Sequence, residues 1–104
     1  MNILGTDYSF ENNTEVLEEI NSDVCCYQYE HKILVRKVED MLCKDATDNA
    51  KKIRYCEVCR HEVIHGFFGE AGLEQYNGDE VLVTFLAVNF PKMVKIFKEN
   101  GWLE

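Results

Sequence analysis

The chain has 104 residues, 46% of them hydrophobic, with 11 Lys+Arg against 19 Asp+Glu for a net charge of −8. That length suits one domain with a single modest core, read as residues 1–104. The acidic balance argues against nucleic-acid binding, which needs a basic face, and no apolar run is long enough for a membrane span.

Taken in order, residues 3–10 read as a first strand with Ile3, Leu4, Tyr8 and Phe10 inward. Asn12-Asn13-Thr14 breaks it, and Thr14 can cap a short helix through Ile20. Residues 24–29 and 33–38 are rich in β-branched and aromatic side chains and flank the turn-sized Glu30-His31-Lys32, which predicts an antiparallel hairpin. From Thr47 the period becomes helical. With Thr47 or Asp48 as N-cap, a long helix is expected through His65 to about Phe68, closed by Gly66 and Gly69. Residues 70–78 read as a glycine-bearing loop. Asp79 then caps a helix from Glu80 to about Asn89, Pro91 is expected to kink or restart it, and Gly101 ends it after Glu99. The expected class is α+β: a small antiparallel sheet of about three strands backing the long helix and the one that follows.

Five cysteines (Cys25, Cys26, Cys43, Cys56, Cys59) raise the question of disulfides. Their odd number, the adjacent Cys25-Cys26 pair and a first segment, residues 1–7, without a basic or long apolar region predict a reduced, cytoplasmic protein.

The long helix carries His61-Glu62-Val63-Ile64-His65, an H-E-x-x-H motif. At about 100° per residue, the two histidines share one face a turn apart, so both imidazoles can reach one metal ion. Nitrogen ligands at about 2.0–2.1 Å suit zinc. Glu62 flanks that face, placed to act on a metal-bound water as general base. Random order would give the motif roughly once in a hundred chains of this composition.

Two histidines and a water leave a tetrahedral zinc one protein ligand short. Glu80 opens the next helix and is the first choice, weighed against the ordinary role of a first-turn acid. Asp79, Glu74 and Glu70 remain the alternatives. Glu57, one turn before His61, is a candidate hydrogen-bond partner for a ligand histidine. Tyr76 is a candidate donor to a developing oxyanion, and His31, in the hairpin turn, reads as solvated. Cys56-x-x-Cys59 has metal-site spacing, yet both residues fall on the helix's apolar face, so both are expected to be buried core. Cys25 and Cys26 should point to opposite faces of their strand.

With Arg60-His61-Glu62-Val63-Ile64-His65-Gly66-Phe67-Phe68-Gly69-Glu70-Ala71-Gly72-Leu73 in view, the chain resembles a family of small phage- and prophage-encoded metallopeptidase-like proteins. A second matching block opens at Asp79-Glu80 and closes at Phe85-Leu86-Ala87-Val88-Asn89-Phe90-Pro91-Lys92; residues 2–8 and 32–35 also look familial. More distantly the chain is similar to the ImmA/IrrE-type peptidases, which pair HExxH with a glutamate on the next helix and cleave repressors. The resemblance implies a zincin-like fold, zinc held by His61, His65 and Glu80, Glu62 as base, and a protein or peptide substrate such as a repressor. Gly66 stands where the family usually has alanine and should loosen the helix. The spacing from Glu80 to Phe85 also departs by about one residue from the distant group.

Two functions follow. One is a zinc-dependent peptidase. The other is a non-catalytic protein on the same scaffold that binds or inhibits a host protein, with zinc structural; the small size and acidic charge suit docking on a basic partner.

Overall fold

The computed structural model describes residues 1–43 and 47–104. Its elements run β1 (Asn2–Ile3), β2 (Thr6–Asp7), β3 (Ser9–Asn12), α1 (Thr14–Glu19), β4 (Val24–Tyr27), β5 (Lys32–Val35), a 3-10 turn (Val38–Asp40), α2 (Asp48–Glu70), α3 (Glu74–Asn77) and α4 (Glu80–Glu99). The class is α+β. No helix among the described residues is long and apolar enough to cross a membrane.

The expected first strand is broken into three short ones, β1 and β2 in a two-stranded sheet and β3 in another. Leu4 and Gly5 take φ of 49° and 93°, so the chain folds back at once and β1 pairs antiparallel with β2. Positive φ at both central residues is the geometry of a two-residue hairpin turn, but a leucine there lacks the usual Asn-Gly signature. Ile3 and Tyr8 are buried as expected, whereas Leu4 and Phe10 are exposed.

The three-stranded sheet has the order β3-β5-β4 and is mixed, correcting the antiparallel expectation. β4 and β5 form the predicted hairpin, but β3 runs parallel to β5, with Ser9 opposite Lys32 and Asn12 opposite Val35. Parallel neighbours need a crossover of a dozen or more residues, and α1 with β4 supplies it. α1 is capped by the Asn13 side chain, which accepts from Val16 N, one residue before the expected cap.

A buried ionic knot fixes the hairpin against α2. Asp23 accepts from Leu42 N at 2.8 Å and from Arg54 Nε of α2 at 3.1 Å. Beside it, Arg36 Nε donates to Ser22 O at 2.7 Å. Both Asp23 and Arg36 are buried, and their charges are answered locally, as burial demands.

α2 does not stop at Gly66 or Gly69. It runs on to Glu70, and the left-handed residue that ends it is Gly72, φ 74°, with Gly72 N bonding Gly69 O and Leu73 N bonding Phe68 O. That is a Schellman closure. Gly66 serves close packing instead: a Cβ there would lie 2.8 Å from Cδ1 of the fully buried Ile3. The glycine expected to loosen the helix admits the N-terminal hairpin against it.

α4 also runs unbroken through Pro91. Proline has no amide hydrogen, so the carbonyl one turn back, on Ala87, loses its helical donor. Arg60 of α2 replaces it, with Nε 2.7 Å from Ala87 O. The sequence alone suggested a kink because the replacement donor comes from another helix. Arg60→Met should therefore cost about 1–2 kcal/mol in denaturant unfolding. In a Pro91→Ala background residue 91 regains an amide hydrogen that can itself donate to Ala87 O, so the same change should cost markedly less. Equal costs in both backgrounds would refute the substitution of one donor for the other.

Candidate metal centre

His61 and His65 sit on the C-terminal half of α2, and Glu80 begins α4 directly after its N-cap, Asp79. Packing of α4 on α2 brings the three together. Glu80 Oε2 lies 2.9 Å from His61 Nε2, Glu80 Oε1 lies 2.9 Å from His65 Nε2, and the two Nε2 atoms are 3.2 Å apart. Ligand atoms on a tetrahedral zinc with bonds near 2.0–2.1 Å stand about 3.3 Å apart, close to the spacing of the two Nε2 atoms, and each imidazole faces its own oxygen of the Glu80 carboxylate. Glu80 is 65% exposed at its side chain against 20% and 14% for the histidines, so the cluster opens to solvent on one side.

The fourth participant was not foreseen. Asn77, the last residue of α3, puts Oδ1 2.8 Å from His65 Nδ1. An amide oxygen only accepts, so Nδ1 carries the hydrogen and, in the neutral ring, the Nε2 lone pair faces the cluster. A lone pair aimed at a carboxylate oxygen is repulsive unless a cation or proton lies between them. The donor set thus fits a divalent ion held by His61, His65 and Glu80. Nothing in the sequence flagged Asn77, because it belongs to a short turn with no period to read.

Glu62 is 9% exposed and lies between two grooves that flank the cluster. One, of about 510 Å³, is lined by Val24, Cys26, Gln28, His65, Asn77 and Glu80 among others. The other, about 350 Å³, is lined by Ser22, Val24, Glu57, His61 and Thr84 among others. Burial pushes the Glu62 carboxyl above its ordinary pKa; His65 opposes this and Glu80 adds to it. β4 is an edge of its sheet, and its residues help wall both grooves.

The other candidates lie elsewhere. Glu70 accepts from Tyr8 Oη at 2.6 Å and Thr6 Oγ1 at 2.8 Å, which hold its carboxyl below the usual value and commit it to the N-terminal hairpin. Asp79 caps α4 by accepting from Leu82 N at 3.0 Å. Glu74 lines the larger groove without joining the cluster. Glu57 faces the smaller groove, but its ion partner is Arg54, at 4.0 Å. Tyr76 packs its ring on Phe68, 6.2 Å between centroids, and it is the neighbouring Asn77 that reaches the site. His31 is exposed in the hairpin turn, with φ 52°.

The cysteine expectation needs correcting. Cys59 is only half-buried, packing beside the Val35–Met41–Val58 cluster, where burial pushes its thiol up to about 11. Cys56, however, is exposed. The apolar face of α2 is left uncovered there, and Ile53 on the same stretch is exposed too. All five cysteines are free. Cys26 packs against Ile3, Tyr8 and Ile33, and its thiol is pushed to about 11 by burial, with Glu62 and Cys25 adding.

Comparison with protein-family models, with curated proteins and with solved structures gives no match, so no family is shown for this chain.

Proposed function

We propose that the chain is a zinc-dependent, metallopeptidase-like protein with a minimal zincin-like architecture, of the kind encoded by phages and other mobile elements, that hydrolyses peptide bonds in a protein substrate. The observation that carries this reading is the convergence of His61 Nε2, His65 Nε2 and the Glu80 carboxylate within 3.2 Å, beside a buried Glu62. A structural zinc site is usually closed by four protein ligands and has no use for an adjacent buried acid.

His61, His65 and Glu80 would hold the ion, with Asn77 fixing the tautomer of His65. When bound, zinc supplies Lewis acidity, polarising a carbonyl and lowering the pKa of water to about 7. Glu62 handles the proton: its carboxylate takes one from the attacking water as the C–O bond forms, then gives it to the amine nitrogen as the C–N bond breaks. Burial suits it to both tasks, since a raised pKa brings its proton affinity nearer to neutrality. The edge of β4, facing the cleft, offers main-chain groups to which an extended peptide can add as a further strand.

The test is a peptide library derived from a bacterial proteome, incubated with the zinc-loaded protein and read by mass spectrometry. Cleavage that a chelator abolishes and added zinc restores is expected. A protein that binds zinc stoichiometrically and cleaves neither the library nor intact proteins in lysate overturns the enzymatic reading.

A further inference from the structure

Away from the metal centre, α2 and α4 form a third groove of about 620 Å³ whose walls are almost wholly apolar. Val63, Ile64 and Phe67 of α2 make one side, Leu86 and Phe90 of α4 the other, and Phe10 adds to the lining. The wall on α4 does not stop at Phe90. Leu86, Phe90, Met93 and Phe97 recur at intervals of four, three and four residues, the spacing of a seam that pairs helices. Yet α4 buries only Val83 and Ala87, both in its first half. Phe90, Ile96, Phe97 and, beyond the helix, Trp102 are 53%, 53%, 41% and 73% exposed. The second half of α4 buries no residue fully and is an apolar arm left largely uncovered, with only Met93 and Val94 half-buried.

Size shows how much surface is left over. A compact 12.1 kDa monomer should expose about 6,000 Å², and this chain exposes 7042 Å². Its radius of gyration is 14.7 Å, against about 13 Å for a compact chain of this length. The surplus, on the order of 1,000 Å², matches the roughly 800 Å² that each partner contributes to a standard interface. Charge points to the same occupant. Residues 92–104 carry three lysines and two glutamates, a net +1, which leaves −9 on the rest of the chain. Lys92 and Lys98 stand on the two outer flanks of the seam, toward acidic surface on a body like this one, whereas Lys95 lies opposite the seam and sits 4.0 Å from Glu99.

We infer that two copies of this chain pair about a twofold axis through α4, antiparallel, with Met93 and Phe97 of each arm entering the α2–α4 groove of the other. An isologous contact of this kind is self-complementary: the arm that needs cover and the groove that needs filling are both present on every copy. The metal centre lies outside the contact and is not needed for it.

The test is sedimentation of the full chain across its accessible concentration range. A mass near 24 kDa, twice 12.1 kDa, is expected. Phe97→Glu on the arm and Phe67→Glu in the groove should each halve that mass while leaving the circular dichroism spectrum unchanged. Both side chains are partly exposed in the single chain, so neither charge is forced into its core. Hydrogen exchange on the wild type gives a reading without substitution: amides of residues 93–103 should lose protection on dilution. A wild type that stays at 12.1 kDa overturns the inference, as does a dimer that both variants leave intact. So does a single copy found bound to a different protein through the groove.

Discussion

His61→Ala and His65→Ala should each lower zinc affinity on the order of a thousandfold, about 4 kcal/mol, measured by competition with a chromophoric chelator. Each removes one of three convergent ligand atoms. Because metal binds the folded state only, zinc should also stop raising the thermal midpoint in either variant. Asn77→Ala should act more mildly, weakening affinity by about 10–100-fold through loss of the acceptor that orients His65. Affinity in the wild type should be lost in acid, since protonated imidazole cannot ligate. Undiminished zinc binding in both histidine variants would remove the site. If Glu80→Ala alone kept full affinity, the third ligand would lie elsewhere, with Glu74 next because it lines the same groove.

Glu62→Gln should lose hydrolysis by about 10²–10⁴-fold while keeping zinc, because the amide preserves shape but cannot accept the proton of water. The variant should retain substrate and allow its capture. It carries a second signature in the metal-free protein. Burial holds the Glu62 carboxyl above its ordinary pKa, so the fold favours the protonated acid. Stability linked to that acid is present at low pH and declines as pH rises from the ordinary carboxylate range through the raised value. The glutamine variant escapes that decline, so its thermal midpoint should exceed that of wild type at neutral pH and converge with it in acid. On the reading that the protein only binds a host partner, Glu62→Gln keeps full biological potency. Wild-type potency with zinc in place would defeat the enzymatic proposal.

Much of the site was legible because helical spacing is a local property. Four residues along an α-helix return to the same face, so His61 and His65 had to neighbour each other once residues 48–70 were helical. Glu80 could be nominated as an acid opening the next helix. Whether it met the histidines depended on how α4 packs on α2, and no local rule states that. Cys56 shows the same limit from the other side. Its place on the apolar face of α2 was readable, but its exposure was not, because nothing local tells how far the covering elements extend.

By itself the sequence determined the α+β class, the β4–β5 hairpin, the long helix α2 starting at Thr47 or Asp48, the N-cap of α4 at Asp79 and the stop at Gly101, all set by periodicity, turn chemistry and capping within a few residues. Tertiary structure alone decided the parallel pairing of β3 with β5, the uninterrupted passage of α2 through Gly66 and of α4 through Pro91, and the placing of Asn77 on His65. In each case the deciding partner is remote in sequence: a crossover places β3, Ile3 occupies the space that Gly66 leaves, and Arg60 supplies the donor that Pro91 lacks. Local signals report what a segment prefers in isolation; these outcomes were settled by groups that only the folded chain brings within reach.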